Sequence, residues 1–404
     1  MAKYHVGVDI SKHNHKVCIR NLAQDSYSGV FSFSVNRQGF DKFQGTLEKL
    51  SPNKEDFLIG IEATGNYGVT LAYFLLSHGY AVVEINPYRA NQFRKAQGRK
   101  AKTDRIDARS LATLLSLENH KPLSIPDPVI DNLRELTRFR ADMVKDRTAL
   151  VNQLHGALST LFPEFAAVFS RLDSPTSLAL LIACPGPDYI CRAGEAKVGE
   201  ILANVSRGRM GKSLAKSVVE AARSSVGAPQ RQPALAIKVS ILGERITDLA
   251  TAIEKVEREI AQLFKNLPYD PKDFPVGDVI SLSTVISEIE DIHRFPTLKQ
   301  FLSHFGWCPQ SFQTGNYRLE HPRMSHAGNK YVRRVIWMLS IGAVRSVPGY
   351  RAYFQRRVEA GKSKMHTLVA VGRKLLSVFY AILKRGVPYN PNWEVNRHFA
   401  LARS

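Results

Sequence analysis

The sequence predicts an α/β amino-terminal domain, a mixed sheet with helices packed on it, followed by an all-α remainder. That remainder comprises a long helical stalk or coiled coil and a helical carboxy-terminal domain. Three observations predict this. Short β-branched runs alternate with helical spacings over residues 1–120. Three prolines between Lys121 and Pro128 then mark a linker. Two long stretches beyond it, 131–161 and 233–267, carry apolar residues near i, i+3 and i+4 with mixed charges between them.

Taken in order, Tyr4 to Ile10 (YHVGVDI) is a strand that runs into an Asp-Ile-Ser-Lys turn. Lys16 to Arg20 and Gly29 to Val35 read as two more strands of a meander. Gln38 to Leu50 places Phe40, Phe43, Leu47 and Leu50 at helical spacing. Phe57 to Ile61 is a buried strand leading directly into Glu62, and a helix over Tyr67–Ser77 ends at His78-Gly79. Tyr80 to Ile85 is a fifth strand, broken by Asn86-Pro87, and a further helix carries Asp104 and Asp107. Ser177 to Val226 is a helical insert between the two long helices, which pair antiparallel or pair with a second subunit. Helices over Val279–Ile289, Leu298–Phe305, Asn329–Ser346 and Thr367–Arg385 then flank one glycine-marked loop, Gly306 to Gly328. The expected domains are 1–120, 121–267 and 268–390, with a tail over 391–404.

Charge narrows the function. The chain has 56 basic and 36 acidic residues, a net charge of +20, an excess that suits a polyanion partner. From Gly315 onward there are 17 Lys or Arg against three acids, Glu320, Glu359 and Glu394. These bases interleave with core-like apolar runs instead of lining one amphipathic face, which favours nucleic acid over a membrane surface. No run of about eighteen uninterrupted apolar residues and no signal-peptide pattern occurs, so the expectation is a cytoplasmic protein. Cys18, Cys184, Cys191 and Cys308 lack CxxC spacing and read as reduced core residues.

The chemistry starts from acidic residues in a basic setting. Asp104 and Asp107 are three residues apart and so share a helix face, amid Arg99, Lys100, Lys102, Arg105 and Arg109. Asp9 ends the first strand and Glu62 the fourth. If those strands are neighbours, four carboxylates meet at one sheet edge. Like charges in a cleft raise one another's pKa values, and hard divalent cations, Mg²⁺ or Mn²⁺, relieve this through oxygen ligation. Two such ions suit phosphodiester chemistry. The basic run from Arg89 through Arg99, Lys100 and Lys102 reads as a groove that tracks a nucleic-acid backbone. Lys330, Arg333 and Arg334 occupy one helical turn after the glycine-marked loop, where they suit phosphate neutralisation. Phe312, Tyr317 and Tyr331 interleave with them as stacking candidates, and Trp337 reads as core.

VGVDIS, GIEATGNYG and KTDRIDARSLA together resemble the amino-terminal domain of the DEDD-type insertion-sequence transposases. RELTRFRADMVKDRTALVNQLHGAL, EIEDIHRF, FGWCPQSFQTGNYR and RMSHAGNKYVRRVIW are similar to the later parts of the same family. The resemblance covers most of the chain, least clearly Ser177–Val226. It implies a ribonuclease H-like, RuvC-like fold for the first domain, with Asp9, Glu62, Asp104 and Asp107 as catalytic metal ligands. It further implies DNA cleavage and strand exchange through a covalent hydroxyl–DNA intermediate. The partners it implies are element-end and target DNA, a structured guide RNA encoded beside the element, and further copies of the chain in a dimer or tetramer.

Two departures stand out. The family pattern has Ser before Gly in the loop, whereas this chain has Thr314-Gly315. Threonine carries the same hydroxyl, but its methyl restricts χ1, and Ser311 and Ser325 in the same loop are alternatives. Where the family tends to have a Pro-Gly-x-Gly hairpin, Pro275-Val276-Gly277-Asp278 ends in an acid. A metal-dependent nuclease or Holliday-junction resolvase with no covalent step would use the same four acids without Thr314. An actin-like sugar kinase would need a second Asp-Gly phosphate-binding turn, and none is found.

Overall fold

The computed structural model describes residues 2–62, 67–96, 104–117, 122–209, 211–308, 313–314, 317–318 and 328–390. They divide into two compact units between Pro126 and Asp127.

The first unit is a six-stranded mixed sheet: β1 (Tyr4–Asp9), β2 (Asn14–Asn21), β3 (Ser26–Tyr27), β4 (Phe31–Ser34), β5 (Phe57–Glu62) and β6 (Ala81–Ile85). The order is β3-β2-β1-β5-β6, with β4 also paired to β2. The expected third strand is β4, and β3 is an additional two-residue piece before it; both lie along one edge of β2, with Lys16 opposite Ser32 and Arg20 opposite Tyr27. The first and fourth predicted strands do lie side by side, β1 parallel to β5, with Gly7 opposite Gly60 and Val8 opposite Ile61.

Helices α1 (Arg37–Leu50) and α2 (Val69–Ser77) cover one face of this sheet. Asn36 caps α1 by accepting a hydrogen bond from the Gly39 N–H at 2.8 Å. Phe40, Phe43, Leu47, Leu71 and Leu75 then join Val6, Val8, Ile59 and Ile61 in one apolar core. Helix α3 (Pro87–Ala96) was not separately expected. It starts at Pro87, a residue that suits a first helical turn, and the Asn86 side chain accepts from the Tyr88 N–H at 2.8 Å. Helix α4 (Asp104–Leu114) lies on the opposite face, where Leu111, Leu114 and Leu115 meet Val83 and Ile85.

The second unit begins with α5 (Pro128–Leu161), capped by Asp127. It continues through α6 (Phe165–Val168), α7 (Pro175–Ala183), α8 (Pro187–Ser206), α9 (Lys212–Arg223) and α10 (Gln232–Phe264). Helices α5 and α10 run antiparallel. Arg140 meets Glu257 at 2.7 Å, and nearly three turns further along α5 Leu150 faces Arg245 and Leu249. At one end of this pair, Leu154, Leu158 and Leu161 share a core with the α7–α9 insert and with Val239 and Leu242 of α10. At the other end, Ile130 and Phe264 belong to a separate core. The pair thus bridges two cores, each filled by apolar residues that no single helix could bury alone.

That second core is built by α11 (Val279–Ile289), α12 (Leu298–His304), α13 (Lys330–Ser346), α14 (Pro348–Glu359) and α15 (Lys364–Arg385), with Phe274, Phe295, Phe305 and Trp307 from the connecting segments. A short antiparallel pair, β7 (Gln313–Thr314) and β8 (Tyr317–Arg318), lies between α12 and α13 in sequence. Helix α14 was not foreseen. Among the described residues, only α15 is long and apolar enough in composition to cross a membrane, and its apolar side chains, Val371, Leu375, Leu376 and Phe379 among them, are buried in this core. Two smaller expectations are corrected, and one departure acquires a structural role. Cys191 is exposed and Cys308 half-buried, so only Cys18 and Cys184 are core residues. Trp337 is half-buried, because it sits beside the buried face of α13 defined by Val332, Ile336 and Leu339. Asp278 is the N-cap of α11, its carboxylate accepting from the Ser281 N–H at 2.7 Å, which gives the acid after Gly277 a helix-starting role.

Candidate active site

The first group of interest is the carboxyl-terminal edge of the sheet. Asp9 and Glu62 are the last residues of neighbouring parallel strands and both are half-buried. The seating of α4 decides what else reaches them. His5 Nδ1 and Ser116 Oγ are hydrogen-bonded at 2.8 Å. Two strand residues later, a Cβ on Gly7 would overlap the Ala108 carbonyl and the Ala112 amide and lie 3.0 Å from Leu111 Cβ. Helix and strand therefore run antiparallel in direct backbone contact, which only glycine permits. Two strand residues advance about 6.6 Å and each helical residue about 1.5 Å. The step from Gly7 to Asp9 thus corresponds to about four helical residues beyond Ala108–Ala112, which is the turn Asp104–Asp107.

Several contacts hold α4 in that register. Arg109 stacks over the Tyr27 ring at 4.2 Å, Tyr27 Oη and Thr113 Oγ1 are 2.9 Å apart, and Arg20 donates to Ser116 Oγ at 2.9 Å. On the strand side, the Ser11 N–H donates to His15 Nδ1 at 3.3 Å and so closes the turn that follows Asp9. His15 is fully buried among Phe33 and Phe40, and burial lowers its pKa to about 4, which keeps the ring neutral and able to accept.

Asp107 is half-buried on α4, whereas the side chain of Asp104 and all of Arg99, Lys100 and Lys102 lie outside the described residues. Among the described residues, no three His, Cys, Asp or Glu side chains gather closely enough to hold a metal ion. The donor set nevertheless suits a hard divalent ion: carboxylate oxygens alone, offered from two strand ends and one helix.

The second group is in the carboxy-terminal unit. Its glycine-marked loop is closed at the base by the two glycines predicted to bound it. Gly306 and Gly328 both have positive φ, 66° and 134°, and a Cβ on Gly328 would lie 2.5 Å from the Gly306 nitrogen. Buried Trp307 fixes the outgoing arm, its Nε1–H donating to the Val369 carbonyl at 2.9 Å. Thr314 ends β7 opposite Tyr317 of β8. The side chains of Thr314 and Tyr317, and all of Ser311, Phe312 and Ser325, lie outside the described residues.

Beside the returning arm, α5, α11 and α13 enclose a cleft of about 410 Å³. Its lining includes Arg140, Lys145, Lys330 and Arg334, against one acid, Asp142. Lys330 and Arg334 are exposed; Arg333, on the same turn, is half-buried and is not among the cleft's lining residues. Sequence reading missed Arg140 and Lys145, because on α5 they look like any charges of an amphipathic helix. The cleft's aromatic member is Tyr331, whose ring lies 4.8 Å from Lys330 Nζ and 5.5 Å from the Arg138 guanidinium.

Comparison with known proteins agrees with this architecture. A transposase family model of the IS110 DEDD type matches residues 6–163, and a second, described as the transposase IS116/IS110/IS902 family, matches residues 274–355. The chain belongs to the IS110-type transposase family. Such transposases and recombinases are enzymes that act on DNA. Over 399 residues the chain is 25% identical to the 44.8 kDa protein of insertion element IS116 from Streptomyces clavuligerus, an alignment covering 94% of each. It is 23% identical over 405 residues to the pilin gene-inverting protein of Moraxella bovis, covering 96% of this chain and 98% of the relative. The two matched segments of this IS110-type transposase contain the strand-end carboxylates and the glycine-bounded loop respectively.

Proposed function

We propose that the chain catalyses divalent-metal-dependent DNA cleavage and strand exchange for an insertion element, with a threonine hydroxyl as the attacking group. The observation that carries this reading is the antiparallel seating of α4 on β1 through Gly7, a register in which α4 runs back toward Asp104 as β1 runs forward to Asp9. DEDD-type transposases are generally metal-dependent. Asp9, Glu62, Asp104 and Asp107 would hold Mg²⁺ or Mn²⁺, which supplies charge neutralisation at phosphate oxygens when bound.

In the covalent step, Thr314 Oγ1 bonds to a backbone phosphorus as its proton departs to solvent or a neighbouring base. The ester bond from phosphorus to the leaving deoxyribose oxygen breaks, and that oxygen takes up a proton. One phosphodiester replaces another, so the bond energy is conserved for rejoining to a different strand. Lys145, Lys330 and Arg334 suit the neutralisation of the phosphates flanking that position. In sequence, Arg99, Lys100 and Lys102 precede α4 and would add further positive charge for a nucleic-acid backbone. The relative named for pilin gene inversion supports rejoining over simple hydrolysis. A structured guide RNA and a dimer or tetramer of the chain complete the reading, supported by family membership and by the net charge of +20.

The test is to trap a protein–DNA adduct on duplexes carrying the element's own ends. The adduct is expected with the wild type, lost in Thr314→Ala and kept in Thr314→Ser. An adduct that persists in Thr314→Ala but disappears in Ser311→Ala or Ser325→Ala reassigns the hydroxyl. Metal-dependent cleavage with no adduct in any variant favours the nuclease or junction-resolvase reading.

A further inference from the structure

Glu288 and Glu290 pair with Arg138 and Arg134 at the start of α5, and the place where Glu288 and Arg138 meet is the root of the loop. Glu288 is a charged residue in an apolar core, its side chain 2% exposed, on a helix whose neighbours Val285, Ile286 and Ile289 are all buried. An isolated buried carboxylate is strongly unfavourable, so it is held by charge-assisted hydrogen bonds. Arg138 of α5 donates from Nε and Nη2 to its two oxygens at 2.6 and 2.7 Å, spanning 150 residues of sequence. A third bond comes from Asn329 Nδ2, at 2.6 Å to Oε2.

Asn329 uses the other end of its amide at the same time. Its Oδ1 accepts from the Tyr331 and Val332 N–H groups at 2.9 and 3.1 Å and so caps α13. It directly follows Gly328, whose backbone rests on Gly306. One buried carboxylate therefore fixes the residue at which the loop re-enters a helix, and through that cap the direction in which Lys330 and Arg334 leave it. Arg138 adds to the same control by stacking over Tyr331, whose hydroxyl donates to Asp142 at 3.5 Å across the cleft. Neighbouring Arg134 is paired with Glu290 and Asp131, and Arg294 with Glu290 at 2.6 Å. Of the two paired glutamates, Glu288 is the one bonded to Asn329 at the end of the loop.

We infer that Glu288 is a positioning residue for strand transfer, orienting the loop and the phosphate-facing bases through Asn329. An apolar residue of similar volume at 288 would fill the core without a buried charge; what it would lose is the hold on the Asn329 amide. This inference rests on the reading that the loop carries the attacking hydroxyl.

The experiment compares wild type, Glu288→Gln, Asn329→Asp and the double variant in the full chain. The substrate is duplex DNA carrying the element's own ends, with Mg²⁺ and RNA transcribed from the element's flank. DNA bound and covalent adduct formed are read separately, and thermal unfolding reports the fold. Asn329→Asp keeps the helix cap, since aspartate caps as well as asparagine, but removes the donor to Glu288. It is expected to lower adduct formed per DNA bound by about ten- to a hundredfold, with binding nearly unchanged, the scale expected of a misplaced reacting group. The double variant exchanges donor and acceptor between the two sites and is expected to recover most of that loss. A folded single variant whose adduct formation stays within about twofold of wild type overturns the inference. So does a double variant no better than the weaker single one, or an Asn329→Asp chain that does not fold, which would make the network one of stability alone. A wild type that cleaves without forming an adduct overturns the loop-hydroxyl reading and this inference together. An adduct-forming wild type matched by Glu288→Gln overturns only the inference.

Discussion

Gly7 of β1 lies directly against Ala108 of α4, so closely that any side chain at position 7 would occupy the space of the Ala108 carbonyl. This contact sets how far α4 advances along the strand, and so where Asp107 falls relative to Asp9. Gly7→Ala is expected to push the helix off the sheet, costing about 1–3 kcal/mol of stability and lowering DNA cleavage. The same change at Gly29, where a Cβ meets nothing within 4 Å, is expected to stay within about 0.5 kcal/mol. Denaturant unfolding of the two variants checks this, and equal costs would remove the argument for a packed α4 register.

The basic cleft makes a prediction in salt. Lys330→Ala and Arg334→Ala should each weaken DNA binding about uniformly across sequences and reduce the slope of log K against log salt by about one. Lys145→Ala, from the opposite wall, should do the same. Fluorescence anisotropy between low and physiological salt measures the slope, and an unchanged slope would exclude these side chains as phosphate contacts.

Stability should fall in mild acid because of His15. Its folded pKa is lowered to about 4 by burial, below the ordinary value of 6.5. Between those values the unfolded chain binds a proton that the folded chain does not. Stability therefore decreases as pH falls from about 6.5 toward 4, by up to about 3 kcal/mol from this residue. A His15→Gln variant should lose that part of the pH dependence in thermal unfolding measured across the window. Retention of the full slope would assign it to other groups.

Metal dependence is expected to reside in the first unit. Cleavage should require added Mg²⁺ or Mn²⁺ and stop with a chelator. Asp9→Asn and Glu62→Gln should each reduce it on the order of a hundredfold or more while leaving DNA binding in place. Turnover within about tenfold of wild type in both would displace these carboxylates from the chemistry.

How much of this was legible varied with the range of the interaction. Strand β1 was readable because its β-branched residues are local, and α11 because its apolar run is, whereas the capping role of Asp278 was not read. The two-residue strand β3 was not legible either, since it depends on which edge residues of β2 find partners. Helix α14 was missed because its weakly amphipathic, basic sequence buries only Tyr350 completely.

The candidate site divides in the same way. By itself, the sequence determined the inventory: Asp9 and Glu62 at strand ends, Asp104 and Asp107 on one helical turn, and Thr314 in a loop bounded by glycines. Periodicity and turn chemistry act over a few residues, so they can be read along the chain. Only the tertiary structure decided that Gly7 seats α4 against β1, that Arg140 and Lys145 share a cleft with Lys330 and Arg334, and that Glu288 ties Arg138 to Asn329. Those partners lie far apart in sequence, and a charge on a helix face has no direction until the helix it packs against is in place.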